Sequence, residues 1–228
     1  MVPEQARCVR LYLDRPHPPG LDPIVLPVAL EGAVPKRRLQ FRAGRYCAMK
    51  AMEALDPRLA GLQPGRTAAG APLWPDGIVG SITHTDDCAS AAVAFATDAL
   101  GIGIDTERWL SESQARAVGR LVAWPADLAP ARDAGMTRLE ALTLVFSAKE
   151  AVFKCLHPRV NHAFGFHDVR LSRVDATAGT FTVRIARTLS QEFGAGTVLS
   201  GMFALDGHWI HTGVFLAADD ARSRGAVA

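Results

Sequence analysis

The segment Gly101–Glu107 (GIGIDTE) restricts the fold of this chain more than any other stretch. Side chains alternate between the two faces of a strand. Leu100, Ile102 and Ile104 therefore share one face with Thr106, while Gly101, Gly103, Asp105 and Glu107 share the other. The first face is bulky and apolar and has to be buried. The second lacks side chains at Gly101 and Gly103 and then presents a pair of acids. A bare glycine face lets a ligand or a second backbone approach closely. Taken alone, Asp-x-Glu reads more simply as a strand running out into a solvated acidic turn.

A second stretch narrows the choice. Arg138–Leu156 (RLEALTLVFSAKEAVFKCL) carries apolar residues at Leu139, Leu142, Val145, Phe146, Val152, Phe153 and Leu156, which predicts a helix. Glu150 and Lys154 lie one turn apart and share a face. As an exposed pair they would contribute only about 0.3–0.5 kcal/mol, so a surface ion pair stays open on spacing alone. Read with the strand, Asp105, Glu107 and Glu150 form an acid set suited to a hard divalent cation, which takes oxygen ligands and is often shared with a phosphate. Lys149 and Lys154 would neutralise that phosphate. The constellation predicts metal-assisted chemistry on a phosphorylated substrate.

Such a substrate needs cations, and KRRLQFRAGRYCAMK (Lys36 to Lys50) is dense in them. On a helix, Arg38, Arg42 and Arg45 fall on one stripe. That stripe is a solvated face unless an anion calls for it. The net charge of +2 gives no support to a nucleic-acid role. At 228 residues, 49% hydrophobic and 21% charged, the chain resembles an ordinary soluble protein able to bury a sizeable core. It has no apolar run of membrane-spanning length and no secretory pattern at MVPEQARCVRLYL, so no membrane insertion and a cytoplasmic location are expected. Cys8, Cys47, Cys88 and Cys155 are too scattered for a disulfide framework or a zinc module. The histidines form no HExxH, and His157, His162 and His167 read as surface or loop residues.

Strands are expected at Cys8–Leu13, Ile78–Thr83, Ala89–Ala96 and Leu100–Thr106, the last pair forming a hairpin across Thr97-Asp98. Helices are expected at Arg37–Leu55, Ser111–Val122 and Arg138–Leu156, and further strands at Val169–Ser172, Thr180–Ile185, Leu199–Ala204 and Trp209–Leu216. Leu59–Pro75 reads as turns with at most short strands. A helix followed by strands thus occurs twice, with the changeover near Asp105. That order predicts an α+β fold of two pseudo-symmetric halves, residues 1–105 and 106–216, and a disordered tail at 217–228.

The blocks RRLQFRAGRYCA, WPDGIVGSITH, GIGIDTE and FSAKEAVFK occur in an order that resembles the Sfp-type 4′-phosphopantetheinyl transferases, in particular the subgroup of enterobactin synthetase component D. FGFHDVRLS and the final strands extend the likeness, which spans roughly Arg37 to Leu216. The resemblance implies the fold of that family, with a first half that binds coenzyme A and a metal site shared at the junction. It implies transfer of the phosphopantetheine arm of coenzyme A to a serine of an apo acyl or peptidyl carrier protein, with release of adenosine 3′,5′-bisphosphate. By motif position, Asp105, Glu107 and Glu150 would hold Mg²⁺, with Mn²⁺ as an alternative. Glu150, or a water on the metal, would take the serine proton. Lys149 and Lys154 would bind the phosphates, with Lys154 on the leaving group. Thr83, His84, Arg38, Arg45 and Arg66 would receive the nucleotide and its 3′-phosphate. Asp105, Glu150 and Lys154 are thus the catalytic set.

The resemblance also implies a monomer, because two fused halves supply what a symmetric assembly would. The pathways it points to are secondary-metabolite ones, siderophore or polyketide synthesis. Carriers of these classes present their serine at the start of an acidic helix. The chain departs from the family pattern at Ala71, where a lysine is usual, at Thr106, where some members have isoleucine, and at Asp127, where glutamate is common. Trp74 and Trp124 are expected to pack rather than to touch substrate. Two other readings fit the same residues. One is a metal-dependent nucleotide phosphohydrolase, which would use water in place of a carrier. The other is a non-catalytic carrier-protein binder, against which the intact acid set argues.

Overall fold

A computed structural model describes residues 2–68 and 70–218. The chain divides into two compact units, Val2–Ile102 and Gly103–Leu216, with Ala217 and Ala218 grouped with the first.

The first unit opens with β1 (Ala6–Tyr12), a short helix α1 (Val28–Glu31) and the long helix α2 (Pro35–Leu55). Pro35 sits at the start of α2, where its missing N–H costs nothing. Asp56 ends that helix, its side chain accepting from Arg58 N at 2.9 Å. The hairpin-like pair β2 (Gly65–Arg66) and β3 (Pro72–Leu73) follows, then β4 (Ile78–His84) and β5 (Cys88–Phe95). The main sheet has the order β1-β5-β4 and is antiparallel throughout. Helix α2 lies on it through Ala43, Cys47, Ala48, Ala51 and Met52, which pack with Ala89, Ala91, Val93 and Ile78. The small residues let helix and sheet approach closely. Trp74 covers Gly80, where a β-carbon would lie 2.7 Å from the indole, so this tryptophan packs as expected.

β6 (Ala99–Arg108) carries the chain into the second unit, which continues with α3 (Glu112–Val122), α4 (Pro125–Asp133), α5 (Arg138–Val160), β7 (Val169–Asp175), β8 (Thr180–Ile185), β9 (Val198–Asp206) and β10 (Trp209–Ala217). Its sheet has the order β6-β10-β9-β8-β7. Thr137 and Glu140 form a reciprocal cap at the start of α5, and Asn161, at φ 56°, closes its end. Leu142, Leu144, Val145, Ala148, Ala151, Val152, Cys155 and Leu156 of α5 are all buried. Burial on more than one side marks α5 as the central helix of this unit.

The structure corrects several expectations. β5 and β6 do not form a hairpin. Ala91 of β5 pairs with Val9 on one side and Ile82 on the other, so β5 has no free edge, and β6 joins β10 instead. Helix α5 runs past Pro158 to Val160 rather than stopping at Leu156. β7 continues beyond Ser172 because a register shift between Leu171 and Arg173 interrupts the alternation without ending the strand. Helix α4 was not expected: Pro125 at its first turn is a start signal that Pro130 obscures. The units differ in size, with a three-stranded main sheet in one and a five-stranded sheet in the other. The expected tail lies outside the described residues from position 219 on. All cysteines are free thiols.

Candidate active site

The glycine face of β6 is covered by α5 itself. A β-carbon at Gly103 would overlap the Ala151 carbonyl oxygen and lie 2.6 Å from Cys155 N. Backbone meets backbone here, and that contact sets the height of α5 over the strand. Two residues on, Asp105 is 3% exposed. Ser147 Oγ donates to its Oδ2 at 2.9 Å, and Lys154 Nζ donates to its Oδ1 at 2.6 Å. On the opposite face of β6, Thr106 Oγ1 lies 3.0 Å from His211 Nδ1.

Glu107 and Glu150 join the same electrostatic group. Burial, then the negative charge of Asp105, push Glu107 up to about 8; Lys154 works against this and Glu150 adds to it. Burial also raises Glu150 above the ordinary carboxylate range, with Lys154 opposing and Asp105 reinforcing the shift. The acids thus outnumber the cation that serves them. Among the described residues no group of three His, Cys, Asp or Glu side chains is already set as a metal cage, and the Lys154 ammonium rests on Asp105. The donor chemistry nevertheless fits a hard divalent cation: all the donors are carboxylate oxygens, and a cation among them would relieve the mutual repulsion that helps to raise Glu107 and Glu150. A cavity of about 180 Å³ opens beside Glu150 and Lys149, walled by Phe153, Phe164, Phe166 and Val169.

The first unit holds a cationic cavity of about 150 Å³, lined among others by Arg37, Gln40, Arg45, Arg66 and His84. Helical spacing places Arg37, Phe41, Gly44 and Arg45 on one face of α2. A β-carbon at Gly44 would come 2.8 Å from Ile82 Cγ2, so the glycine lets the helix settle on β4. Arg45 is buried, with Nη1 lacking a hydrogen-bond partner and its guanidinium 5.0 Å from the Phe41 ring centroid. Burial, then the charge of Arg66, lower its pKa to about 10. Arg37 Nη1 donates to His84 Nε2 at 2.7 Å. Gly70, at φ +92°, turns the loop around Arg66, whose Nη2 would lie 2.9 Å from a β-carbon there. A buried guanidinium, repelled by a neighbouring arginine and set beside a small cavity with further cationic lining, suits an anion.

Comparison with known sequences identifies the family of the chain. Residues 26–94 match the 4′-phosphopantetheinyl transferase N-terminal domain, and residues 101–204 match the 4′-phosphopantetheinyl transferase superfamily. The chain belongs to the 4′-phosphopantetheinyl transferase superfamily. It is 38% identical over 197 residues to the 4′-phosphopantetheinyl transferase Svp of Streptomyces mobaraensis, covering 81% of this chain and 74% of that one. It is 31% identical over 220 residues to PptT of Mycobacterium tuberculosis, covering 94% and 92%. With enterobactin synthase component D of Salmonella typhi it shares 33% identity over 148 residues, 65% and 60% of the two chains.

In this transferase-family chain, the residues singled out from sequence divide into three groups. Asp105, Glu107, Glu150 and Lys154 come together, and Arg45, Arg66 and His84 come together. Lys149, Arg38 and Thr83 join neither group. Lys149 is 2% exposed and donates to Asp127 Oδ2 and to the Val122 carbonyl, both at 2.9 Å. Arg38 reaches the Glu31 carbonyl at 3.4 Å, on a different side of α2. Thr83 is buried on the face of β4 opposite to Ile82 and His84, which line the cavity. Arg37 and Gln40 were not anticipated. The signal for Arg37 was the stripe Arg37–Phe41–Arg45, one residue out of step with Arg38–Arg42–Arg45, and Gly44 marked that face as the one in contact. Trp124, expected to be packed, is 47% exposed.

Proposed function

We propose that this chain transfers the 4′-phosphopantetheine group of coenzyme A to a serine of an apo acyl or peptidyl carrier protein. The observation that carries this reading is the Asp105–Glu107–Glu150 acid cluster with Lys154 at its centre, inside the stretch that matches the superfamily. In this reading Asp105, Glu107 and Glu150 would hold Mg²⁺, and that ion, when bound, supplies charge stabilisation to the pyrophosphate. Lys154 exchanges its carboxylate partner for phosphate oxygens and steadies the leaving group. Glu150 accepts the serine proton. The serine Oγ bonds to the β-phosphorus while the bridging P–O bond breaks, and adenosine 3′,5′-bisphosphate departs with the electron pair. Arg37, Arg45, Arg66 and His84 hold the 3′-phosphate, a group remote from the chemistry whose binding energy helps place the reacting end. Lys149 acts indirectly, by locking α5 to Asp127.

The reading puts the protein in the cytoplasm as a monomer, serving carriers of siderophore or polyketide assembly. No helix among the described residues is long and apolar enough to cross a membrane. The deciding experiment is a mass spectrum of candidate apo carriers after incubation with the protein, coenzyme A and Mg²⁺. A gain of one phosphopantetheine group, absent with a chelator, is expected. Coenzyme A cleavage without any gain on a carrier would instead support the phosphohydrolase reading.

A further inference from the structure

The motif FSAKEAVFK contains one polar side chain that has no part in the transfer as written above, Ser147. It is fully buried, as is Thr212 of β10, a residue that lies past the matched stretch 101–204. β10 is the sheet neighbour of β6, and the two strands are tied on both faces. On one face Thr106 Oγ1 meets His211 Nδ1 at 3.0 Å. On the other, under α5, Ser147 Oγ lies 2.9 Å from Asp105 Oδ2 and 2.8 Å from Thr212 Oγ1. Thr212 Oγ1 is also 2.9 Å from the Ser147 carbonyl oxygen. All of these residues belong to the second unit.

The direction of these contacts follows from their protons. A hydroxyl carries one proton, and an ionised carboxylate only accepts, so the Ser147 proton points at Asp105. The Thr212 proton is then the one available for the contact between the two hydroxyl oxygens, which would otherwise repel each other. Thr212 therefore donates towards Ser147 Oγ, with the carbonyl oxygen as a second acceptor beside it. A hydroxyl that accepts one hydrogen bond donates a stronger one. The chain from Thr212 through Ser147 thus ends on Oδ2 of Asp105, on the fully packed side. Oδ1 faces Lys154, whose side chain is 26% exposed against 4% for that of Asp105.

We propose that Ser147 and Thr212 are positioning residues: their two-step hydroxyl relay holds Oδ2 of Asp105, so that Oδ1 is the oxygen offered to the divalent cation once Lys154 turns to phosphate. The proposal rests on the transfer reading above, in which Asp105 holds that cation. Neither hydroxyl touches substrate; Ser147 acts through Asp105, and Thr212 acts through Ser147. Groups that orient a metal ligand typically change metal affinity or activity roughly ten- to a hundredfold when removed. Valine has the shape of threonine without the hydroxyl, so a change at 212 can remove the first step of the relay and leave Asp105 and Ser147 in place.

The test measures Mn²⁺ affinity from the electron paramagnetic resonance signal of the free ion, with coenzyme A present and no carrier, alongside steady-state transfer with Mg²⁺. Ser147→Ala is expected to weaken Mn²⁺ binding roughly tenfold or more. Thr212→Val is expected to weaken it more than about threefold, a smaller loss because this step is further from the acid. The double variant should bind no worse than Ser147→Ala, since Thr212 has no route to Asp105 except through Ser147. Thr212→Ser, which keeps the hydroxyl, should retain most of the affinity. In the variants without a hydroxyl, kcat falls in parallel while KM for the carrier stays within about twofold. Thermal melts establish that each variant is folded; if Ser147→Ala is not, Thr212→Val against Thr212→Ser decides alone. Mn²⁺ affinity within about twofold of wild type in Thr212→Val would overturn the relay while leaving the transfer reading intact. Losses that add in the double variant would overturn it too, as two separate packing effects. A wild type that takes up no Mn²⁺ would overturn the relay and the ligand set together. Mn²⁺ losses in the expected pattern, in a protein that modifies no carrier, would uphold the relay and remove the transfer reading.

Discussion

Lys154 donates to Asp105 at 2.6 Å, from a helix to the strand beneath it, and both residues lie within an excess of carboxylate charge. The pair is a resting arrangement that a divalent cation and a phosphate together can replace. Asp105→Asn tests this with little change of shape. Transfer is expected to fall at least a hundredfold. Mg²⁺ is expected to raise the melting temperature of the wild type and to leave that of the variant unchanged, because a ligand stabilises only the fold that binds it. Equal metal-induced shifts in both proteins would remove Asp105 from the ligand set. Asp105 is no loose strand-end acid: the Ser147 contact means that Asp105→Ala would also disturb the core.

Lys149 and Asp127 form an ion pair in which both side chains are 1% exposed. Breaking a buried pair on one side leaves a stranded charge and costs about 3–5 kcal/mol. Lys149→Met is therefore expected to destabilise strongly in urea titrations. The double change Lys149→Met with Asp127→Leu should recover most of that loss, short of the roughly 1 kcal/mol from the lost Trp124 cap. If Lys149 served mainly a phosphate, the single change would leave stability nearly intact.

The gap between sequence and structure is clearest at such positions. Glu150, Lys149 and Lys154 are close on one helix, and helical spacing sets Lys154 on the Glu150 face without fixing what Lys149 meets. That depends on where α4 delivers Asp127, a long-range fact that no local pattern carries. The strands and the long helices were legible because burial imposes a period. The Arg37 face was not, because the arginines of α2 suit two adjacent stripes and only contact with Ile82 chooses between them. The β5–β6 pairing was misjudged for a similar reason: a short turn suggests a hairpin, but β1 already occupies the edge of β5.

Arg45 is a buried cation whose pKa is lowered to about 10. Between that value and its ordinary one the unfolded chain binds more protons, so the penalty on folding shrinks as pH rises through that range and is present in full at neutral pH. Arg45→Met should raise the melting temperature of the unliganded protein by roughly 2–4 °C, the shift that about 1 kcal/mol produces in a chain of this size. It should also abolish the stabilisation given by adenosine 3′,5′-bisphosphate. A lower melting temperature without ligand would show that Arg45 has a structural role instead.

Dephospho-coenzyme A lacks the group assigned to the cationic cavity. It is expected to be a markedly poorer substrate for the wild type, since charge-assisted bonds to phosphate contribute about 1.5–3 kcal/mol each in favourable settings. Arg66→Ala and Arg37→Ala should each narrow the difference. The measurement is kcat/KM for both coenzymes with each protein. Equal use of the two by the wild type would empty the cavity of that role.

The backbone contact under Gly103 bears on how such a protein could lose its activity in evolution. Gly103, Ala151 and Cys155 form one mechanical unit, because any side chain at 103 must be met by a retreat of the helix. A descendant carrying alanine there would keep every acid and lysine of the motif and still hold Glu150 and Lys154 out of register with Asp105. Inactive relatives can therefore look intact at every charged position, and the residue that betrays them is the one with no side chain to inspect.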